Sequence, residues 1–279
     1  MRMVLFSFLC LQFSAVAIQA AVRSGTKKET LDPRAILECS NIRVLQSGYL
    51  ILRYEFWAQF RHEGEDWLPL VGESTRPVRW GISRQPMQQT QSRWGQRDAG
   101  IVADLRTEKG AIFYTRLAFT GDVEVEAICR VRDIGSKDKA NYLIAGIYWG
   151  NERFVGADRG IRIAGTRRPK GLGVREGSWS WWPAGRPKDF RPVKEMLLTF
   201  KMTYKDGVVS AYSPWKWEYM RPAAEKKLNT KPKRFHVGIA WKNFSFTIKQ
   251  ITIKGTADEK SLKLLKARKK SPKRSKLGL

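Results

Sequence analysis

The stretch Asp122-Val123-Glu124-Val125-Glu126-Ala127-Ile128-Cys129-Arg130-Val131-Arg132 decides the fold. Successive side chains of a strand point to opposite faces, so Val123, Val125, Ala127, Cys129 and Val131 share one apolar face while Glu124, Glu126, Arg130 and Arg132 share the other. This is the pattern of a strand with one buried and one wet side. The same period recurs at Leu50 to Phe60, Ala111 to Leu117, Tyr142 to Trp149, Met196 to Tyr204, Val208 to Tyr212, Phe235 to Trp241 and Phe244 to Ile253. Turn signals at Thr120-Gly121-Asp122, Gly156-Ala157-Asp158 and Asp206-Gly207 separate them, so the chain reads as hairpins and meanders without long amphipathic helices.

Three details sharpen the pattern. Phe244, Phe246 and Ile248 share one parity, but Ile251 and Ile253 fall on the other, so keeping all five in the core requires a bulge near Lys249-Gln250. In Tyr142 to Trp149 both parities are apolar, which fits a central strand covered on both sides or one whose second face carries a groove. Cys129 lies on the apolar side, so a buried free thiol is expected over a bridge to Cys39; two cysteines in so long a chain are no disulfide scaffold.

The organisation follows from composition. Residues 1–20 read as a signal peptide: Arg2, an apolar run from Val4 to Phe13, then Ala15-Val16-Ala17. That run is well short of the roughly 20 residues a membrane-spanning helix needs, and no later segment is longer. A lead-in over 21–44, a sandwich domain over 45–256 and a basic tail over 257–279 complete the expected layout, with Asp258 capping a short basic helix in the tail. The formal net charge of +26 resides mostly in the body. Such a charge attracts polyanions, and export turns attention from nucleic acid, for which no binding motif is present, to acidic polysaccharide and envelope surfaces, which the tail would also reach.

Few residues carry chemistry. Glu124 and Glu126 project from the same strand face roughly 7 Å apart, a separation at which two carboxylates can flank a glycosidic bond. One of them would have to be held protonated, and the neighbouring Arg130 and Arg132 make a charge-balanced face the simpler reading. His62 and His236 are the two histidines, and neither a serine elbow nor a zinc-binding pair accompanies them. The acidic run Arg61-His62-Glu63-Gly64-Glu65-Asp66 would admit a structural calcium ion without requiring one, and no cofactor or metal site is assigned. Five of the eleven tryptophans fall in Ser178-Trp179-Ser180-Trp181-Trp182-Pro183 and Pro214-Trp215-Lys216-Trp217-Glu218-Tyr219. Flat rings along a groove stack on sugar faces, so Trp181, Trp182, Trp215, Trp217 and Tyr219 are the candidate ligand-binding residues.

The order of Ala111-Ile112-Phe113-Tyr114-Thr115, Phe119-Thr120-Gly121-Asp122-Val123-Glu124-Val125-Glu126, Tyr204-Lys205-Asp206-Gly207-Val208-Val209, Phe235-His236-Val237-Gly238-Ile239-Ala240 and Phe246 through Gly255 resembles the concanavalin A-like lectin and glucanase jelly rolls. It is similar above all to the laminin-G-like and 3-keto-disaccharide-hydrolase-like domains of secreted bacterial proteins, over roughly Ala111 to Gly255. The resemblance implies two antiparallel sheets packed face to face, with ligand on the concave sheet or its edge loops. The glucanase branch carries a Glu-x-Asp-x-x-Glu strand; Glu124-Val125-Glu126-Ala127-Ile128-Cys129 lacks the central Asp and the last Glu, so that activity does not transfer. The expectation is a secreted, non-catalytic, carbohydrate-binding jelly roll whose partner is a polysaccharide, with neutral and anionic polymers both open. The alternatives are a glycoside-cleaving jelly roll using concave-face carboxylates and an envelope-associated structural protein held by its tail.

Overall fold

The computed structural model describes residues 31–55, 66–71, 81–82, 101–105, 111–133, 142–149, 153–159, 172–176, 179–181, 195–212, 222–242 and 244–270. All elements below belong to the compact unit Pro33–Leu279. They are α1 (Pro33–Ile36), β1 (Asn41–Val44), β2 (Tyr49–Glu55), β3 (Trp67–Val71), β4 (Gly81–Ile82), β5 (Ile101–Leu105), β6 (Ala111–Asp133) and β7 (Tyr142–Trp149). There follow β8 (Arg153–Arg159), β9 (Leu172–Glu176), β10 (Trp179–Trp181), β11 (Leu197–Lys205), β12 (Val208–Tyr212), β13 (Pro222–Lys227), β14 (Phe235–Lys242), β15 (Phe244–Ala257) and α2 (Glu259–Lys270). Every strand pair is antiparallel, and the fold is an all-β sandwich.

The central strand is longer than its sequence suggests. Thr120-Gly121-Asp122 is not a turn: β6 runs on through it for 23 residues, because Gly121 takes φ 70° and bends the strand instead of reversing it. The first half of β6 pairs with β3 and β14, and the second half with β11 and β15. One strand therefore belongs to two layers. The continuous ladder folds into two layers at β6: β1-β2-β15-β6-β11-β12-β13, with β5 and then β4 beside the first part of β15, make the first sheet, and β3-β6-β14-β7-β8-β9-β10 make the second. Strands β11, β12 and β13 pack across β7, β8 and β9. Gly156-Ala157-Asp158 is likewise no turn but the interior of β8, whereas Asp206 (φ 51°) and Gly207 (φ 85°) do form the tight turn between β11 and β12.

The alternation predicts the core well. Val123, Val125, Ala127, Cys129 and Val131 are buried, together with Phe200, Met202, Leu143, Ile147, Val155, Val237 and Ile239. Cys39 and Cys129 are free thiols. The bulge falls where expected: Ile248 faces Cys129 but Gln250 faces Ile128, leaving Lys249 as the extra residue. It also marks a change of partner, since β5 pairs with β15 up to Ile248 and β2 takes over from Gln250.

The tail helix forms and is part of the packed body. The Asp258 carboxylate accepts a hydrogen bond from the Ser261 amide at 2.9 Å, an N-cap, and the Ala118 amide donates to the Ser261 hydroxyl at 3.0 Å. Leu262 and Leu265 are buried while Leu264 is 60 % exposed. No described helix is long and apolar enough to cross a membrane.

An added Cβ at Gly121 would meet nothing within 4 Å, so Gly121→Ala tests backbone conformation alone. The left-handed conformation costs a non-glycine residue on the order of 1 kcal/mol, and the urea midpoint should fall accordingly with an unchanged slope. An unchanged midpoint contradicts the corner assigned to this residue.

Candidate functional site

The carboxylate pair lies on the outer face of the first sheet, and Glu124 is engaged in ion pairs. Glu124 accepts a hydrogen bond from Lys254 Nζ at 2.7 Å and lies 3.4 Å from Lys201 Nζ, while Glu126 stands opposite Lys201 and Thr252 in the ladder. Burial pushes the Glu124 carboxyl up, but the hydrogen bond from Lys254 and the charges of Lys201 and Lys254 outweigh it and hold it below the ordinary glutamate value. A glycosidic acid needs the opposite shift. Trp182, Trp215, Trp217 and Tyr219 lie outside the described residues, as does His62, and Trp181 is placed only by its backbone, opposite Val174.

Asp66, at the end of the acidic run, turns inward. One of its carboxylate oxygens accepts hydrogen bonds from the Glu38 amide at 2.6 Å and the Tyr54 hydroxyl at 3.2 Å. Trp67 stacks on Phe113 at 4.7 Å and meets Tyr54 edge-on at 5.2 Å. Burial raises Asp66 to about 6, and burial together with the Asp66 charge raises Cys39 to about 11. This is core structure, and no metal-binding group of three such side chains exists among the described residues.

The outer face of the second sheet is built differently. Tyr114, Gly238, Gly146, Gly156 and Arg175 stand opposite one another across β6, β14, β7, β8 and β9. Three adjacent strands thus carry glycine in one row, and all three glycines are buried. Close approach of the neighbouring backbones requires them: a Cβ at Gly146 would run into the Val155 carbonyl, one at Gly156 into the Ala145 carbonyl, and one at Gly238 would sit 2.7 Å from the Phe113 carbonyl. Ile144, Phe154 and Ala240 are buried beside this row and pack against the half-buried Ile112, Tyr142 and Tyr148. The Arg175 guanidinium lies 3.8 Å from the centre of the Tyr142 ring, a cation–π contact. Tyr114 meets Tyr148 at 5.3 Å and His236 at 5.5 Å, so three rings continue the stripe toward α2.

A second irregularity aims the end of that stripe. Between His236 and Gly238 the register shifts from Ala118 to Tyr114, so β6 carries extra residues at Thr115-Arg116-Leu117. Thr115 repairs the ladder by accepting from the Val237 amide at 3.1 Å and donating to the Leu117 carbonyl at 2.7 Å. The Thr115 carbonyl lies 2.8 Å from His236 Nδ1, which must donate because a carbonyl only accepts. Burial lowers the His236 pKa, with the Arg234 charge adding to it against that hydrogen bond, so the ring is neutral at pH 7. Sequence analysis noted the two-sided apolar pattern of Tyr142 to Trp149 but missed Tyr114, Arg175 and His236. The even spacing of Tyr114 and Arg116 and of Tyr142 and Tyr148 was the available signal.

No protein-family model and no curated protein matches the chain. Solved structures similar to it include a peanut lectin bound to a nine-residue peptide, at 9 % identity and TM-score 0.43 over 69 % of this chain and 97 % of that one. They include the Emp47p carbohydrate recognition domain, at 10 % identity and TM-score 0.42 over 78 % and 99 %. A glycosyl hydrolase family protein from Mycobacterium fortuitum is similar at 11 % identity and TM-score 0.42 over 69 % and 93 %. These are lectin and hydrolase chains, the groups that the strand order resembles. At TM-scores below 0.5 they carry no argument, and the sandwich assignment rests on the strand pairing above.

Two substitutions test the roles given to the acids. Because folding raises Asp66 from 3.8 to about 6, its contribution to stability is full below pH ~4 and is lost as pH rises through 6. Asp66→Asn should therefore gain on the native chain between pH 4 and pH 7, by up to the order of 3 kcal/mol, in thermal melts at each pH. Glu124 is shifted the other way, so its small contribution, about 1 kcal/mol or less for a half-exposed pair, is present above the unfolded value of 4.5 and lost at lower pH. Glu124→Gln should melt slightly earlier at pH 7 and identically near pH 3.

Proposed function

We propose that the protein is an exported, non-catalytic carbohydrate-binding protein whose ligand lies along the ring stripe on the outer face of the second sheet. The observation that carries this reading is the stripe of half-buried rings Tyr142, Tyr148 and Tyr114 on one sheet face. Half-buried tyrosines offer apolar faces with a polar hydroxyl at the edge, which suits the alternating CH and OH surfaces of a sugar ring. Arg175 over Tyr142 adds guanidinium donors for hydroxyl or acidic substituents.

Export rests on the first twenty residues, whose charge, short apolar run and small-residue box fit a cleaved leader. The absence of catalysis rests on Glu124. A glutamate on the other sheet, paired with two lysines, neither donates a proton nor faces the ring stripe.

Tyr148→Ala should weaken binding on a glycan array by roughly tenfold, the scale of one lost stacking contact, while thermal melts show a folded protein. Tyr212→Ala, on the first sheet, serves as the matched control and should leave binding unchanged. Equal retention of glycans by both variants overturns the assignment of this face.

A further inference from the structure

A cleft of about 170 Å3 opens where α2 crosses the end of the ring stripe. Its walls bring together Arg116 from the β6 bulge, Arg234 from the approach to β14 and Arg268 from the last turn of α2, with Tyr114 and His236 beside them. These three guanidiniums come from distant parts of the chain. Three like charges around one small volume repel, and that repulsion is relieved by counter-charge. Asp258 supplies part of it, its carboxylate lying 3.1 Å from Arg234 Nε while also capping α2. Among the described residues no acid pairs with Arg268. His236, neutral and bonded to the Thr115 carbonyl, adds no charge.

We propose that this cleft binds the oxyanion of an acidic polysaccharide, a sulfate ester or a uronate carboxylate. Arg116, Arg234 and Arg268 converge on the anion, and the sugar carrying it rests on Tyr114 and Tyr148. The guanidinium fork matches both oxyanions, because each presents two oxygens side by side to paired N–H donors. Tyr114 belongs to both the stripe and the cleft, so a ligand lying on the rings delivers its substituent to the arginines without a gap. Leu264, exposed on α2, adds an apolar lip at the mouth. The inference rests on the carbohydrate-binding reading for the placement of the sugar, and it turns a diffuse positive charge into a located subsite.

The test titrates the full chain with dextran sulfate, polygalacturonate and neutral dextran, at low and moderate salt, by calorimetry. Arg268→Ala should weaken binding of the sulfated or the uronate polymer by roughly tenfold and leave neutral dextran unaffected. Whichever acidic polymer responds identifies the anion as sulfate or carboxylate. Lys205→Ala removes the same charge from an exposed position at the β11–β12 turn of the other sheet and should change nothing. Equal losses in Arg268→Ala and Lys205→Ala would show bulk charge attraction and overturn the subsite, as would tighter binding of single-stranded DNA than of either acidic polymer. If Tyr148→Ala abolishes binding of every glycan while Arg268→Ala alters none, the subsite falls and the carbohydrate reading stands. If no glycan of any kind binds, both fall.

Discussion

The hydrogen-bonded ladder shared by the two sheets through β6 is the constraint on which the rest depends. Backbone amides and carbonyls buried between layers must be paired, and a strand that passes from one sheet to the other pairs both halves without a loop crossing the core. Gly121 makes this possible at the cost of glycine's backbone entropy. Because β14 and β15 follow one another and pair with the two halves of β6, the closing segments of the chain fasten both layers at once. The helix that follows β15 is thereby delivered onto the outer face of the second sheet, over Ala118.

The two outer faces carry different chemistry for a physical reason. On the first sheet, alternating Glu, Lys, Arg and Thr positions satisfy one another across strands, as in Glu124 with Lys254 and Lys201 and Arg132 with the Thr247 hydroxyl at 2.9 Å. The second sheet instead carries buried glycines, half-buried tyrosines and a small buried apolar cluster, with arginines gathered at one end. The proposed ligand lies on this second face.

Two of the bulges do different things. The one at Lys249 restores the parity of Ile251 and Ile253, so it serves packing. The one at Thr115-Arg116-Leu117 breaks the regular pairing beside α2, and the Thr115 side chain replaces the lost ladder bond. The same device thus preserves the core in one place and re-aims side chains next to a cleft in the other.

Period-two patterning by itself determined β2, β7, β11, β12, β14, β15 and, as two pieces, β6, together with their buried faces, the parity slip at Lys249 and the burial of Cys129, because inside-outside alternation is a property of neighbouring residues; the short strands β1, β3, β4, β5, β8, β9, β10 and β13 were not read from it. Asp258 as a helix cap was equally local. Only the tertiary structure decided that Gly121 is a corner, that the glycines of β7, β8 and β14 align in one row, and that Arg116, Arg234 and Arg268 surround one cleft. Those facts depend on register between strands distant in sequence, and nothing in a single strand's alternation encodes which partner it meets or at what offset.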